Sequence, residues 1–586
     1  MNAFRNTCQL KKKVLVSAIL SVLVVSYSAA AAEDFNATDP LLRYQWHLKN
    51  TGQQVIADSL PVAGIDLNVE ALHRANIRGK GVFVAVVDDG VEINHEDLAA
   101  NVRQGASRNF YDNSTDPTPQ NPSDEHGTAV AGIIAAVGWN NKGGRGVAPE
   151  AQVAGYNFLT HDGDVIDNNQ TEHILYGWGD GEGAKEAQVF NNSWGSTNQA
   201  YPAASRENTA SWERLTNATR DGKGGIYVKA AGNNFESLIV KQGSRNVDVC
   251  STETRNARVP CGAANSDQFN NFINVITVAA VNAKGVRSSY SSSGSAVWVS
   301  GIGGEYGNQS KYVSSSRKTY FDPAIVTTDL SGCEAGSNAD RANGQVYNDL
   351  DTSNSRIDSS CSYWAKMNGT SAATPTVSGV AALLLQVNPE LTSRDVKYIL
   401  ATTARKIDPG YTPATYKGNI IDPAWTTNKA GHPFSNWYGF GLVDANAAVT
   451  KAKTFTSLPA RKDSGWISSN DTAQRIGTFG SPAVFKVNVS ADTKVENVQV
   501  SFNTTHKTPK YVLATLTSPA GTESTILTPF QTLENITSGS GFTVPLTSSN
   551  AFLDEPARGV WTLKVTDING SSSALLRNFN IRVVGH

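Results

Sequence analysis

The chain has 586 residues, 40% of them hydrophobic and 17% charged, with 50 Lys+Arg against 52 Asp+Glu. That length can bury a large core and points to more than one domain. A formal net charge of -2 and a pI near 6.5 give no basic field, so nucleic acid and other polyanions are excluded as partners recognised by charge.

The N-terminus carries Arg5, Lys11, Lys12 and Lys13, then the apolar run Val14 to Val25, then Ala29 to Ala32. A charged start, an apolar stretch too short for a comfortable membrane span and a small-residue zone predict a secretory signal peptide over residues 1–32. The mature chain is then secreted or periplasmic, with no membrane span. Cys8 leaves with the signal, and Cys250, Cys261, Cys333 and Cys361 remain. Four cysteines in an exported chain read as two disulfides with three possible connectivities, of which the local one, 250 with 261 and 333 with 361, is expected. A zinc site is disfavoured, because no Cys-x-x-Cys occurs and no histidine lies close in sequence.

Residues 33–453 alternate short apolar runs with helical segments. Val82 to Val87 ends in Asp88-Asp89-Gly90, Ile226 to Ala231 ends in Gly232-Asn233, and Val275 to Val281 follows Asn274. Continuous runs of this kind, separated by helix-like stretches such as 128–137 and 392–404, predict a parallel sheet covered on both faces, hence an α/β fold. From Ser371 to Gln386 the positions Val377, Val380, Ala381 and Leu384 give a helical period with apolar residues nearly all round. Residues 454–586 turn Ser/Thr/Val-rich with strand-like alternation: Trp561, Leu563 and Val565, then Phe579, Ile581 and Val583, with a turn at Pro519-Ala520-Gly521. This second domain reads as an antiparallel sandwich or jelly roll, with the boundary near 455–463.

Four residues carry the candidate chemistry. Ser371, in Gly369-Thr370-Ser371-Ala372-Ala373-Thr374-Pro375, sits at a buried helix N-terminus, where unpaired N–H groups favour developing negative charge; alone, the string is an ordinary helix cap. Asp88 ends a buried strand, where a carboxylate can hold an imidazole in one tautomer; alone, it is a turn-forming Asp before Gly. His126 opens the small-residue helix His126-Gly127-Thr128-Ala129-Val130-Ala131-Gly132, which predicts close packing on the sheet, and is the natural general base; alone, it is a surface histidine. Asn233 is a turn residue after a strand unless it serves these three.

The chain order Asp, His, Ser in these local contexts resembles the subtilisin-like serine proteases. Asp88-Asp89, Ile325-Val326-Thr327-Thr328-Asp329-Leu330 and the added β domain resemble the kexin/furin branch, and Leu516-Thr517-Ser518-Pro519-Ala520-Gly521-Thr522 resembles the convertase P domain. The resemblance implies a secreted endopeptidase acting on protein and peptide substrates: Ser371 as nucleophile, His126 as base, Asp88 orienting it and Asn233 donating to the oxyanion. It also implies that Ser193-Trp194-Gly195 pairs with the extended substrate. Convertases select Lys or Arg, often dibasic pairs, through acidic pockets. Asp89 matches the pocket before the scissile residue and Asp267 is the candidate S1 acid, while Ser196-Thr197-Asn198-Gln199-Ala200 lacks an acid found there in this branch.

Asp39, Asp97 and Asn140, with the carbonyls of Val137, Lys142 and Gly144, match a calcium site of the family, so Ca2+ is the expected cofactor. A second calcium site is degraded, with Asn198 and Ser292 in place of acids. Only a few residues separate the expected signal cleavage from Asp39, and Gln45-Trp46-His47-Leu48 already resembles mature enzyme. A separately encoded chaperone or inhibitor is therefore expected in place of a pro-domain. The rival readings are a broad-specificity subtilase, an α/β-hydrolase esterase, which wants Gly-x-Ser-x-Gly followed by acid and histidine, and a binding or adhesion protein on an inactive scaffold.

Overall fold

The run Phe-Val-Ala-Val-Val-Asp at Phe83–Asp88 (β1) has no polar face to offer water, and all six of its residues are buried. In the computed structural model it belongs to a six-stranded sheet with Gln152–Asn157 (β2), Val189–Asn192 (β3), Ile226–Ala230 (β4), Val275–Val281 (β5) and Val299–Ile302 (β6), all parallel, in the order β2-β1-β3-β4-β5-β6. The structure describes residues 38–159, 170–196, 200–201, 206–242, 245–338, 343–352, 355–533, 541–570 and 573–586. The expected signal peptide, 1–32, lies outside the described residues, as does Asn198.

Successive strand residues face opposite sides. Val84 and Val86 pack into a core with helices His126–Ala135 (α1) and Thr370–Val387 (α2). Phe83, Ala85 and Val87 pack on the other side into an aromatic cluster with Trp178, Phe190, Trp212, Tyr227 and Phe269. Helix α2 lies across β3, β4, β5 and β6 and is buried on nearly every face. It is long and apolar enough to cross a membrane by length and composition, but here it is the central core helix.

Helix α1 owes its small residues to two close approaches. The one at Gly132 is to a separate two-stranded sheet rather than to the large one. Ile325–Thr328 (β7) pairs antiparallel with Tyr363–Met367 (β8), and the Thr327 and Thr328 hydroxyls donate to the Ala129 and Thr128 carbonyls at 2.8 and 2.7 Å. A Cβ on Gly132 would collide with the Thr328 hydroxyl. At Gly127 a Cβ would strike the Gly90 carbonyl, just past β1.

Helices Ser393–Thr403 (α3) and Ala445–Ala452 (α4) precede the all-β part. There Ala483–Val489 (β9), Val495–Thr504 (β10), Val512–Thr517 (β11), Glu523–Leu527 (β12), Thr543–Ser549 (β13), Gly559–Asp567 (β14) and Leu575–Gly585 (β15) form two antiparallel sheets, β9-β14-β11-β12 and β15-β10-β13. Phe485, Trp561, Leu563 and Val565 from one sheet meet Val500, Phe502, Phe579 and Ile581 from the other in one core.

The sandwich grips the loop that carries Asp267. Asn265 Nδ2 donates to the Thr547 hydroxyl and the Ser548 carbonyl at 2.9 and 3.0 Å, and Asn271 Oδ1 accepts the Ser548 N–H at 3.0 Å. Buried amides cost free energy unless paired, so these bonds hold the 264–271 loop in one register.

Candidate active site

In the strand order β2-β1-β3 the chain leaves β1 in one direction and returns on its other side, so a crevice opens at the carboxyl ends of β1 and β3. Asp88 is the last residue of β1, and Ser193 follows β3 directly. The Asp88 side chain is 1% exposed, and its Oδ1 accepts the His126 Nδ1–H at 2.7 Å. That bond fixes the tautomer and leaves Nε2 as the working nitrogen. Burial alone would lower the His126 pKa. The Asp88 charge and hydrogen bond, then the Asp89 and Glu125 charges, outweigh burial and raise it to about 9.

Asp89 turns its carboxylate to the start of α1, where Oδ2 accepts the His126 N–H at 3.1 Å and Oδ1 the Gly127 N–H at 2.6 Å. It thus caps two orphan donors of the helix. Burial and the neighbouring Asp88 charge push its pKa well above the usual carboxylate range. The ligand-type atoms of Asp88, Asp89 and His126 lie within 4.8 Å of one another, near enough together to hold a metal ion.

Ser371 lies in the first turn of α2, where its backbone N–H has no place in the helical ladder. Its Oγ donates to the Ser193 carbonyl at 2.8 Å, and among the described residues no hydrogen bond joins it to His126. Catalytic bonds of this kind often form only with substrate bound. Beside it, Asn233 Oδ1 accepts both the Thr370 N–H at 2.8 Å and the Thr370 hydroxyl at 2.9 Å. This orients the amide so that Nδ2 is the group left to donate. Gly369, at φ +94°, permits the approach, because a Cβ there would stand 3.1 Å from Asn233 Nδ2.

A cavity of about 140 Å³ adjoins Ser371, lined by Trp194, Gly195, Ala230, Gly232, Asn233 and Asp267 among others. Trp194 is fixed by its indole N–H, which donates to the Val87 carbonyl at 3.0 Å. Asp267 does line this pocket, but not as a lone acid: Lys229 Nζ lies 2.9 Å from its Oδ2. Sequence reasoning missed Lys229. The available signal was a lysine inside the buried run Ile226-Tyr227-Val228-Lys229-Ala230, where a cation needs a partner.

Of the expected calcium ligands, the side chains of Asp39, Asp97 and Asn140 lie together, brought from three segments. Asp39 Oδ2 and Oδ1 accept the N–H groups of Trp139 and Asn140 at 3.0 and 3.2 Å, and Asn140 Nδ2 donates to Asp97 Oδ1 at 2.7 Å. Val137 N–H donates to the Asp97 carbonyl at 2.8 Å, and Lys142 N–H to Asn140 Oδ1 at 2.9 Å. Gly143 and Gly144 bring the loop over Asp97, and a Cβ on Gly143 would collide with Asp97 Oδ2. Among the described residues that buried Oδ2 makes no well-formed hydrogen bond, although the Gly144 N–H acts on this carboxylate, and it is an oxygen a cation could take. Asp39 also meets the buried Arg145, whose Nε donates to Oδ2 at 2.7 Å. Elsewhere, Ser292 donates to the Gly262 carbonyl at 2.9 Å, and Cys250 is bonded to Cys261 and Cys333 to Cys361.

The sequence matches the subtilase family over residues 79–441 and the proprotein convertase P-domain over residues 495–583. It is 39% identical over 570 residues to the Aeromonas extracellular serine protease of Aeromonas sobria, spanning 93% of this chain and 87% of that protein. It is 35% identical over 570 residues to a microbial serine proteinase of Aeromonas salmonicida, spanning 91% and 86%. Among solved structures, the complex of the Aeromonas sobria serine protease with the chaperone ORF2 matches with a TM-score of 0.84 and 34% identity, over 94% of this chain and 95% of that one. This chain belongs to the subtilase family: it is a serine protease acting on peptide bonds, with a catalytic α/β domain followed by an all-β P-domain.

Proposed function

We propose that the protein is an exported endopeptidase of the kexin-like type. Ser371 Oγ attacks the scissile carbonyl, His126 Nε2 takes the hydroxyl proton and returns it to the leaving amine, and water then hydrolyses the acyl-enzyme by the same proton path. Asp88 orients the imidazole and stabilises its protonated form, and Asn233 Nδ2 and the Ser371 N–H donate to the tetrahedral oxygen. The observation that carries this reading is the buried Asp88 carboxylate holding His126 Nδ1 at 2.7 Å at the mouth of the crevice. The segment Ser193-Trp194-Gly195, just past β3, would take the substrate backbone as an added strand.

Basic residues before the scissile bond are favoured chiefly through Asp89, which is partly exposed beside His126; a cation at P2 would favour its charged form against the burial and Asp88 charge that raise its pKa. The share of Asp267 at P1 is limited by Lys229, and this ion pair favours the broad-specificity reading for that position. Where Ca2+ binds, Asp39, Asp97, Asn140 and the carbonyls of Val137, Lys142 and Gly144 would hold it. It would tie the N-terminal segment to the loop after α1. The solved complex of the Aeromonas sobria relative supports a chaperone partner for this chain also. Soluble, active enzyme in good yield from expression of this chain alone would sink that part.

Hydrolysis of peptides ending in Arg-Arg, Lys-Arg, Ala-Arg and Ala-Phe, with and without a calcium chelator, tests the reading. Faster cleavage with Arg or Lys at P2 and loss of rate on chelation are expected. Indifference to the P2 residue removes the role of Asp89, and indifference to the chelator removes the ion.

A further inference from the structure

Lys229 is completely buried and belongs to the face of β4 that looks into the aromatic cluster, as Tyr227 does. Its stem passes beneath Trp194, with Nζ 4.5 Å from the ring centroid, and Nζ donates to the Trp194 carbonyl at 2.7 Å and to Asp267 Oδ2 at 2.9 Å. The remaining Asp267 acceptors are also engaged, since Oδ2 takes the Ser196 N–H at 3.2 Å and Oδ1 the Phe269 N–H at 2.9 Å. The pair sits directly behind the substrate-binding strand: a Cβ on Gly195 would stand 3.2 Å from Asp267 Oδ2 and 3.6 Å from Lys229 Nζ. With side-chain exposures of 0% and 6%, water and salt screen it little.

We propose that Lys229 is a specificity-determining residue: by holding Asp267 as a built-in counter-ion, it leaves the pocket beside Ser371 without net negative charge, so the pocket takes an uncharged P1 side chain at least as well as Arg or Lys. A P1 guanidinium entering this pocket meets a carboxylate that already has a cation, and meets that cation too. In a poorly hydrated site, like charges a few ångströms apart repel strongly. An uncharged side chain finds walls of Ala230, Ala231, Gly232 and the Trp194 backbone and disturbs no ion pair. The inference rests on the proposed role of Ser371 and names the P1 class that goes with it.

The experiment uses the full-length exported enzyme, counted by a fluorophosphonate label on Ser371, and peptides with Arg fixed at P2 and Arg, Lys, Met or Leu at P1. In the unmodified enzyme the kcat/KM for Met or Leu equals or exceeds that for Arg. Lys229→Met, which frees the Asp267 carboxylate, raises the Arg-to-Met ratio by at least about tenfold, and Lys229→Arg restores the original ratio. A residue that only supported the fold would lower all four rates together. If Lys229→Met does not fold, the double variant Lys229→Met with Asp267→Asn, which removes both charges, decides. An unchanged ratio supports the inference, and a tenfold loss of Arg cleavage shows that Asp267 attracts Arg despite Lys229 and overturns it. Labelled unmodified enzyme that cleaves after Arg more than about tenfold faster than after Met overturns this inference alone. Failure to label at Ser371 overturns the proposed mechanism and this inference with it.

Discussion

Ser193 and Ser371 exchange two hydrogen bonds: the Ser371 hydroxyl donates to the Ser193 carbonyl at 2.8 Å, and the Ser193 hydroxyl donates to the Ser371 carbonyl at 2.9 Å. The second bond exists because of Pro375. In an unbroken helix the N–H four residues on would take the Ser371 carbonyl, and proline has none. Ser193 fills that vacancy, so the end of β3 and the start of α2 are fastened together at Ser371. Ser193→Ala leaves the carbonyl unsatisfied, a cost of about 1–3 kcal/mol. It is expected to lower both Tm and kcat, with Ser193→Thr restoring them. Unchanged kcat in Ser193→Ala would show that the clamp does not position Ser371.

Asn233→Ala removes the side-chain amide proposed as oxyanion donor. The expected loss is about 10²–10³-fold in kcat with KM little changed, the size known for such a donor in subtilisin. Thr370→Val, which keeps the backbone bond to Asn233 Oδ1 and loses the hydroxyl bond, gives a smaller loss of the same kind. Steady-state kinetics on one good substrate decides. A rise in KM at constant kcat would make Asn233 a binding residue only.

The pH profile follows from His126. A general base must be unprotonated, and Asp88, Asp89 and Glu125 together outweigh burial and raise this imidazole to about 9. Activity is therefore expected to rise with pH through an inflection well above the ordinary histidine value of 6.5. Glu125→Gln removes one of the raising charges and moves the inflection down. An inflection in kcat/KM at or below the ordinary value contradicts the electrostatics described for the site.

Asn271 links the P-domain to the pocket. It is fully buried, its Oδ1 accepts the Ser548 N–H, and its Nδ2 donates to the Asp267 carbonyl at 3.0 Å. Asn271→Ala strands these partners and costs about 1–3 kcal/mol. Because it loosens the loop bearing Asp267, it is expected to raise KM as well as to lower Tm. A lower Tm with unaltered KM would make the contact purely structural.

With Ca2+ at the site proposed at Asp39, Asp97 and Asn140, chelation is expected to lower Tm by several degrees, since an ion bound to the native state alone stabilises it. Asp97→Asn is expected to show the lower Tm from the start and little further response to chelator. An unmodified enzyme whose melting ignores the chelator rules the site out.

Much of the catalytic part was legible in the sequence. The run Val82 to Val87 became β1 at Phe83–Asp88, the helical stretch 392–404 became Ser393–Thr403, and the alternation around Trp561 became a sandwich strand, because buried faces impose their period on the residues that form them. The relations that tune the site were not legible. Lys229 meets Asp267 from 38 residues away, Ser193 meets Ser371 from 178, and Asn265 meets Thr547 from 282. Only folding brings such partners within reach, and no local pattern marks one lysine or one asparagine as the other's partner. The small residues of α1 were readable as a sign of close packing, but the surface they meet at Gly132, the two-stranded β7–β8 sheet, was not.

In the proposed mechanism Ser371 is the nucleophile, and Asp88 and His126 activate it. The direct measurement is intact-mass and peptide mapping after reaction with a fluorophosphonate, on the unmodified enzyme and on Ser371→Ala, His126→Ala and Asp88→Asn. One adduct on the peptide containing Ser371 is expected, absent in Ser371→Ala and formed far more slowly in the other two. An adduct on another residue, or labelling of Ser371 at full rate in His126→Ala, would contradict the account.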